Sequence, residues 1–323
     1  MEKTPDSTVF SWVQFSDPHF TEPQPSVRQL LSKRLLGYLS WRRRRRHVHR
    51  REVLDLAVAD ARSLNPDHWL ITGDLTHIGL PAEFQQARQW LEGLGSPRDV
   101  SVIPGNHECY ARSSWELTQA TWLRWMSSDH NERTSRVGQA YFPYIRRRGP
   151  VAFIGLSTAL PTPPFMASGR LGERQLQDLA TALETTAAEG LLRVVLIHHP
   201  PQPGAVRPRK RLLDAAAFHQ VVSEHGAELI LHGHAHHWCQ ATLSGNGRSA
   251  VVLGPPSTTA SGAAFGSAGG AGYFHFELEA QPGMWRLRSE RRSYDAAAGA
   301  FRAVDENLWQ LEHGGGGGPQ RSG

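Results

Sequence analysis

The chain has 323 residues, 39% of them hydrophobic, so it is long enough to bury a substantial core within a single large domain. Its formal net charge of +5 at pH 7 favours anionic partners, which include phosphate esters, nucleic acid and anionic membranes. Two cysteines, Cys109 and Cys239, are too few for a disulfide-rich secreted protein. No apolar run approaches the ~18 residues that cross a bilayer, so the sequence predicts no transmembrane helix and favours a cytoplasmic protein.

Short apolar runs and amphipathic stretches alternate along the chain. The apolar runs, which end abruptly in polar residues, predict buried strands at 9–15, 68–71, 100–103, 151–156, 194–197, 229–231 and 251–253. The amphipathic stretches have apolar spacings of three and four, and they predict helices at 51–63, 82–94, 172–188 and 212–225. Strands and helices that alternate in this way indicate an α/β fold.

The end of the chain differs in character from the rest. Residues 273–278 and 285–287 predict antiparallel strands of a terminal β meander over about residues 271–303. The glycine-rich stretch 314–323 predicts a disordered tail. We therefore expect one domain over residues 1–313, which carries a basic amphipathic insertion at about residues 27–51.

Residue types that bind metals recur directly after the predicted strands. They occur in five segments, Asp17-Pro18-His19, Gly73-Asp74, Gly105-Asn106-His107-Glu108, His198-His199-Pro200 and Gly233-His234-Ala235-His236. Each segment alone is a weak signal, because Gly-Asp is typical of turns and a lone His-x-His is common on packed strands. All five follow strands, however, and open α/β sheets bind their ligands at that edge. Together they predict a functional site.

The order of these segments resembles the calcineurin-like metallophosphoesterase superfamily, whose pattern is Asp-x-His, Gly-Asp, Gly-Asn-His-Asp/Glu, His and Gly-His-x-His. The similarity runs from about residue 10 to residue 240. The two prolines after His199 and the Gly-His-Ala-His motif look most like the bacterial cyclic-nucleotide-phosphodiesterase-like branch. The resemblance implies a four-layer αββα sandwich, in which two mixed β-sheets are flanked by helices.

The resemblance also implies a centre of two metal ions held by seven side chains. The first ion would be bound by Asp17, His19 and His236. The second ion would be bound by Asn106, His198 and His234. Asp74 would bridge both ions, and His198 is preferred over His199 because the ligand directly follows the strand in the family.

Carboxylate, amide and imidazole ligands suit borderline divalent ions such as Mn²⁺, Fe²⁺, Zn²⁺ or Co²⁺, so the metal is not fixed by the sequence. Two such ions about 3.5 to 4 Å apart can generate a bridging hydroxide for in-line attack at phosphorus. His107 would act as the catalytic residue that stabilises charge on the leaving oxygen or protonates it. Glu108 either orients a neighbouring imidazole or is a solvated loop carboxylate, and the sequence favours neither.

The insertion combines an apolar helical stripe with the arginine run 42–46. A basic amphipathic helix can lie in a membrane interface with its apolar face down. Alternatively, the stripe packs over the domain as a cap and the arginines form a solvated face. A third hypothesis, that the arginines bind nucleic-acid phosphates, is less favoured because the stretch has no spread of exposed aromatic residues for base stacking.

Further basic residues follow the fourth motif in a proline-rich loop, and we expect Arg207, Arg209 and Lys210 to bind substrate there. Phe165 and Met166, in the segment 161–170, predict an apolar wall of the pocket. The overall expectation is a phosphodiesterase that acts on a small or lipid-linked phosphodiester or pyrophosphate. The alternatives are a UDP-2,3-diacylglucosamine-type pyrophosphatase at the inner membrane face, a nuclease or nucleic-acid-binding protein, and a non-catalytic binding scaffold.

Overall fold

The structure is a computed structural model that describes residues 9–129, 141–261, 270–313 and 320–322. The strands of these residues are β1 (Phe10–Phe15), β2 (His68–Ile71), β3 (Val100–Val102), β4 (Tyr144–Arg148), β5 (Val151–Gly155), β6 (Leu192–Ile197), β7 (Leu229–His232), β8 (Cys239–Gly245), β9 (Arg248–Gly254), β10 (Gly272–Gln281), β11 (Met284–Asp295), β12 (Ala300–Glu312) and β13 (Gln320–Ser322).

The helices of the same residues are α1 (Val27–Leu30), α2 (Arg34–Ser40), α3 (Arg46–Val48), α4 (Arg51–Ser63), α5 (Pro81–Leu94), α6 (Arg112–Trp122), α7 (Glu173–Ala188) and α8 (Ala215–His225). A single π-helical turn, Trp41–Arg45, joins α2 to α3. Short 3₁₀ turns occur at Leu123–Trp125 and Pro208–Lys210.

The strands form two mixed sheets. The first sheet has the order β13-β12-β11-β10-β1-β2-β3, and the second has the order β4-β5-β6-β7-β9-β8. Strands β1, β2 and β3 run parallel to one another, as do β5, β6, β7 and β9, whereas the remaining strands pair antiparallel to their neighbours. Because parallel strands end at a common edge, the loops that follow them are gathered there.

Side chains of the two sheets meet in a shared aromatic core. The Trp12 ring of β1 stacks on Phe276 at a centroid distance of 5.1 Å and meets Phe153 of β5 edge-on at 5.7 Å. The next residue of β5, Ile154, packs instead in a second cluster with Leu179 of α7 and other apolar residues of α7 and α8. This alternation is the period of two expected of strands that are covered on both faces.

Helices cover the outer faces of both sheets. On the first sheet, Tyr273 of β10 donates a hydrogen bond of 2.5 Å to Asp60 of α4, which packs on β10 and β12. On the second sheet, α7 and α8 occupy the corresponding position. The order of layers is therefore helix, sheet, sheet and helix, which confirms the predicted fold class.

Most of the predicted elements are present with small changes at their ends, but α6, β4 and β8 were not predicted. The strand β4 contains three consecutive arginines, a composition that is typical of solvated loops. Arg146 is nevertheless buried, because its guanidinium donates to backbone carbonyls, including that of Ser127 at 2.9 Å. The meander extends to Glu312 rather than to residue 303.

The predicted disordered tail lies mostly outside the described residues. Gln320–Ser322 pair with β12 as β13, although glycine-rich composition had suggested no structure there. Both cysteines are buried free thiols, as expected from their number. Among the described residues, no helix combines the length and the apolar composition that crossing a lipid bilayer requires.

The insertion packs as a cap beside the loops that follow β2 and β3. Arg34 is buried and donates to the carbonyl of Ile78 at 3.1 Å and to the carbonyl of Gly79 at 2.9 Å. The outer part of the apolar stripe does not pack in this way, since Val27 is 79% and Leu31 82% exposed. The segment is thus a cap on one side and an exposed apolar surface on the other.

We predict that Gly37→Ala destabilises this cap. Alanine favours a helix over glycine by about 1 kcal/mol, but a Cβ at Gly37 would lie 2.4 Å from Tyr110 Oη and 2.7 Å from Ile78 Cγ2. The matched control is Gly93→Ala in α5, where a Cβ meets no atom within 4 Å. Thermal unfolding should show a lower Tm for Gly37→Ala and an unchanged or higher Tm for Gly93→Ala. Equal shifts in both variants would contradict the close packing of α2.

Candidate metal centre and active site

The loops that carry the five motifs leave both sheets at one edge. They place Asp17 and His19 after β1, Asp74 after β2, Asn106 after β3, His198 after β6, and His234 and His236 after β7. Three groups of side chains have potential ligand atoms within 4.8 Å of one another. These groups are Asp17 with His19 and His236, His19 with Asp74 and His107, and Asp74 with His198 and His234. The second and third groups share Asp74.

The backbone at this edge is strained. The φ angle is positive at several of these residues, namely Asp17 (48°), His19 (39°), Asp74 (57°), His234 (65°) and His236 (57°). Non-glycine residues adopt this region at a cost of about 1 to 3 kcal/mol, and such residues cluster at functional sites. Hydrogen bonds between the loops hold the geometry, since the amide of Asp17 donates to the Gly73 carbonyl at 3.0 Å.

Glycine is required where two of these loops approach each other. A Cβ at Gly105 would lie 2.2 Å from Asp74 Oδ1, and a Cβ at Gly233 would lie 2.1 Å from Ser16 Oγ. Neither distance is compatible with a larger residue, because the neighbouring atoms are fixed within the buried site. The glycines therefore bring the carboxylates of the first sheet against the histidine loops.

Backbone carbonyls orient two of the imidazole rings. His19 Nδ1 lies 2.9 Å from the Thr76 carbonyl, and His198 Nδ1 lies 2.8 Å from the Thr72 carbonyl. Since a carbonyl only accepts, both rings carry a proton on Nδ1 and direct Nε2 toward Asp74. These Nε2 atoms lie 3.7 Å and 3.4 Å from Asp74 Oδ2. The hydrogen bond from Nδ1 to a backbone carbonyl is typical of a histidine that binds a metal through Nε2.

The two carboxylates each use one oxygen for structure and present the other. Asp17 Oδ2 accepts from Ser16 Oγ at 2.6 Å and from the His234 amide at 2.9 Å, while Oδ1 lies 3.2 Å from His236 Nε2. Asp74 Oδ1 accepts from the His107 amide at 2.8 Å, which leaves Oδ2 among the imidazoles. Both carboxylates can therefore bind a cation without losing their loop contacts.

Several buried polar atoms in the site have no hydrogen-bond partner among the described residues. Asn106 Oδ1 and His234 Nε2 are two of them. A buried polar atom without a partner costs about 1 to 3 kcal/mol, so such atoms require another explanation. Amide oxygen, carboxylate and imidazole together form a donor set for borderline divalent metals. The residues present fit divalent metal ions.

The pKa values of the histidines differ across the centre. Burial and the neighbouring His107 hold the pKa of His19 well below its usual value, and burial with His199 does the same for His234. Burial also opposes charge on His198, but Asp74 and Asp17 outweigh it and raise the pKa of His198 to about 9. A cation bound at Nε2 of His198 would replace its proton, because metal and proton compete for the same lone pair.

The family model for calcineurin-like phosphoesterases matches residues 11–238, which include every one of these motifs. The chain belongs to the calcineurin-like phosphoesterase family. The predicted resemblance is thereby confirmed.

Curated relatives of this phosphoesterase are named as bacterial phosphodiesterases. A probable cyclic nucleotide phosphodiesterase of Synechococcus is 31% identical over 197 residues, which cover 60% of this chain and 66% of that protein. A cAMP/cGMP dual specificity phosphodiesterase of Mycobacterium tuberculosis is 27% identical over 186 residues, which cover 56% of this chain and 52% of that protein. The matches span between half and two thirds of these relatives' own lengths.

A solved structure with the same fold is a dimetal phosphatase from Danio rerio. It superposes with a TM-score of 0.52 at 13% sequence identity, and the match covers 93% of this phosphoesterase and 98% of that chain. At this level of identity the similarity supports the fold. The sandwich of two mixed sheets is therefore the metallophosphoesterase fold.

Glu108 of the phosphoesterase is neither a solvated carboxylate nor the partner of an imidazole. It is fully buried, and its two oxygens accept five hydrogen bonds from the loops after β2 and β3. The donors are the amides of Asp74 (2.8 Å), Leu75 (3.0 Å), Thr76 (3.0 Å) and Gly105 (2.8 Å) and the hydroxyl of Thr76 (3.1 Å). Burial and the nearby Asp74 raise the pKa of Glu108 to about 7, while these donors oppose the shift.

Several residues of the site were not predicted from the sequence. His49 belongs to the basic insertion, but it is buried with its ring 4.8 Å from that of His19, and its Nδ1 lies 2.9 Å from Thr259 Oγ1. Ser257 Oγ donates to the Asp17 carbonyl at 2.7 Å. The signal for Ser257 was present, since it follows β9, which is parallel to β7 and ends at the same edge.

His199 and His77, which are not among the proposed metal ligands, have structural roles. Both ring nitrogens of His199 are engaged, with Thr158 Oγ1 at 2.6 Å and the Ala167 carbonyl at 3.1 Å. His77 is buried, and its carbonyl accepts from Nδ1 of His107. His107 Nε2 therefore faces Asp74 Oδ2, at 4.0 Å. Burial lowers the pKa of His107 to about 4, with Asp74 opposing the shift and Arg45 adding to it.

The metal-binding edge forms the floor of a cleft of about 380 Å³. Arg209 and Lys210, for which the sequence predicts substrate binding, are among the residues that line this cleft. Arg207 is exposed and is not among the lining residues. Arg45, from the insertion, lines the cleft as well. The cleft is thus bordered by cations from two separate segments.

We predict that Glu108→Gln destabilises the fold and reduces metal binding. Glutamine replaces one of the two accepting oxygens by an NH₂ group, which cannot accept a hydrogen bond. In either orientation this NH₂ group would face two or more N–H donors, and buried donors that lose their acceptor cost about 1 to 3 kcal/mol. The control is Glu116→Gln, an exposed glutamate of α6. Thermal unfolding and the metal content should both fall for Glu108→Gln and stay unchanged for the control. An unaltered metal content would show that Glu108 does not position Asp74.

Proposed function

We propose that the chain is a metal-dependent phosphodiesterase that hydrolyses a small phosphodiester. The observation that carries this proposal is the convergence of the three ligand groups on one cleft, where Asn106 Oδ1 and His234 Nε2 have no partner among the described residues. The named activities of the curated relatives agree with it. The cationic border of the cleft suits an anionic ester.

The assignment of ligands that the family pattern implied is our proposal for the centre. Asp17, His19 and His236 would hold the first ion, and Asn106, His198 and His234 would hold the second. Asp74 would be shared by both ions. When bound, the divalent ions supply Lewis-acid polarisation of the phosphoryl group and a nucleophile at neutral pH.

We assign His107 to the leaving oxygen. The bond from Nδ1 to the His77 carbonyl fixes the ring so that Nε2 faces the cleft beside Asp74 Oδ2. An anionic phosphodiester bound there favours the protonated ring, because a nearby negative charge raises the pKa of an imidazole. His107 can then donate from Nε2 to the leaving oxygen. Arg209 and Lys210 are proposed to bind the substrate, whereas Arg207 serves at most to attract anions.

We predict that metal-stripped protein cleaves bis(p-nitrophenyl) phosphate only after Mn²⁺, Fe²⁺, Zn²⁺ or Co²⁺ is returned, and cleaves p-nitrophenyl phosphate more slowly. His107→Ala should lower kcat by about 10² to 10⁴-fold, the usual contribution of a general acid. Asp74→Ala should remove both activity and bound metal. The control is His237→Ala, an exposed histidine next to the last motif. If no divalent ion restores cleavage of either ester, the phosphodiesterase proposal is wrong.

A lipid-linked pyrophosphate, such as a UDP-2,3-diacylglucosamine-type substrate at the inner membrane face, is a second candidate. A cavity of about 270 Å³ adjoins the cleft and is lined in part by Leu36, Phe165 and Met166. Phe165 is 77% and Leu31 of the insertion 82% exposed, so an apolar surface lies at the mouth of the site. Exposed apolar side chains beside basic residues suit the interface of an anionic membrane.

This candidate predicts that the protein co-sediments with vesicles that contain anionic phospholipid. Replacing Val27 and Leu31 by serine should reduce the bound fraction several-fold, because both side chains are exposed and would insert into the interface. Hydrolysis of a soluble diester should not change in this variant. Protein that remains entirely in the supernatant, in the wild type as in the variant, would rule out peripheral membrane attachment.

A further inference from the structure

The arginine run of the insertion contains one residue that turns into the molecule. Arg42, Arg43, Arg44 and Arg46 are exposed, whereas Arg45 is largely enclosed and its Nη1 lies 3.2 Å from His107 Nε2. Arg45 ends the π-helical turn Trp41–Arg45. Isolated π-helical turns are frequent at functional sites. The insertion thus places the Arg45 guanidinium against His107, while the exposed Arg44 also lines the cleft.

Arg45 has no carboxylate within ion-pair distance among the residues that the structure describes. Its hydrogen-bonding contact is the imidazole of His107, which is a neutral acceptor because Nδ1 carries the proton. Burial lowers the pKa of Arg45, although Asp74 opposes the shift. A cation removed from water without a counterion is costly, so such a group is expected to meet an anion in the functional complex.

A second cation lines the cleft near Arg45. Lys210 lies on the short turn Pro208–Lys210 and lines the same cleft as Arg45. Burial and the charge of Arg45 lower the pKa of Lys210. The two cations come from segments far apart in the sequence and flank the floor formed by Asp74, Asn106 and the histidines. Their mutual repulsion is relieved by an anion placed between them.

We propose that Arg45 is a catalytic residue that binds a non-bridging oxygen of the substrate's phosphoryl group. The proposal rests on the phosphodiesterase function proposed above and adds a residue to its site. Arg45 then has a role different from that of Arg42, Arg43 and Arg46, which are exposed and do not line the cleft. The insertion is part of the active site in addition to being its cap.

The chemistry of guanidinium supports this role. A charged phosphoryl oxygen is a stronger acceptor than a neutral imidazole, so Arg45 is expected to move from His107 Nε2 to the substrate. That movement frees Nε2 of His107 to interact with the leaving oxygen. Negative charge on the equatorial oxygens is largest in the transition state of phosphoryl transfer, and a positioned guanidinium stabilises it there.

The test compares Arg45→Ala and Arg45→Lys with Arg43→Ala, an exposed arginine of the same run. Hydrolysis of bis(p-nitrophenyl) phosphate is measured on Mn²⁺-loaded protein, together with metal content, Tm and the binding of inorganic phosphate by calorimetry. We expect Arg45→Ala to lower kcat/KM about 100-fold, mainly through kcat, and to weaken phosphate binding about tenfold. Arg45→Lys should recover part of the loss. Arg43→Ala should match the wild type in every measurement.

The proposal is overturned if Arg45→Ala keeps the kcat/KM and the phosphate affinity of Arg43→Ala. It is also overturned if Arg45→Ala loses metal or unfolds at a lower temperature than Arg45→Lys and loses activity in the same proportion, because the role of Arg45 would then be structural. Phosphate binding separates this result from a failure of the proposed function. A wild type that cleaves no diester, yet binds phosphate through Arg45, would refute the phosphodiesterase and retain the oxyanion site.

Discussion

The carboxylate of Glu108 joins the loop after β2 to the loop after β3, and the geometry of the whole site depends on that buried contact. It accepts from the backbone of Asp74, Leu75, Thr76 and Gly105, so the most central carboxylate of the site, Asp74, is held by its own amide. Strained backbone at Asp74 and Asp17 can persist only because such contacts overdetermine it. The loops of the first sheet thereby hold the carboxylates of Asp17 and Asp74 against the histidines that follow the strands of the second sheet.

The site gathers imidazoles, carboxylates and cationic side chains in one cleft. Imidazoles of His19, His198 and His234 surround two carboxylates, and Arg45 and Lys210 border the same cleft. Backbone carbonyls orient His19 and His198, and backbone amides donate to one oxygen each of Asp17 and Asp74, which leaves the other side-chain atoms available. This preorganisation is the usual means by which an enzyme stabilises developing charge. It explains why the insertion matters to the chemistry as well as to packing.

The motifs at strand ends could be predicted from the sequence because the physics there is local: a buried strand must end, and its first polar residues lie at the sheet edge. The role of Glu108 could not be predicted, since it depends on backbone amides of a loop far along the chain. Arg45 and Arg43 are likewise indistinguishable in sequence. They differ in the structure because Arg45, at the end of the π-helical turn, contacts His107, whereas Arg43 is exposed. Strand β4 was not predicted for a similar reason, because the burial of Arg146 depends on backbone carbonyls elsewhere in the chain.

The centre of two metal ions around Asp74 is the claim on which the account stands, and anomalous X-ray diffraction tests it most directly. Crystals grown with Mn²⁺ should show two anomalous peaks about 3.5 to 4 Å apart, as in two-metal hydrolases. Asp74 should lie between the peaks, with Asp17, His19 and His236 around one and Asn106, His198 and His234 around the other. A single peak, or peaks away from Asp74, would contradict the proposed centre and the mechanism built on it.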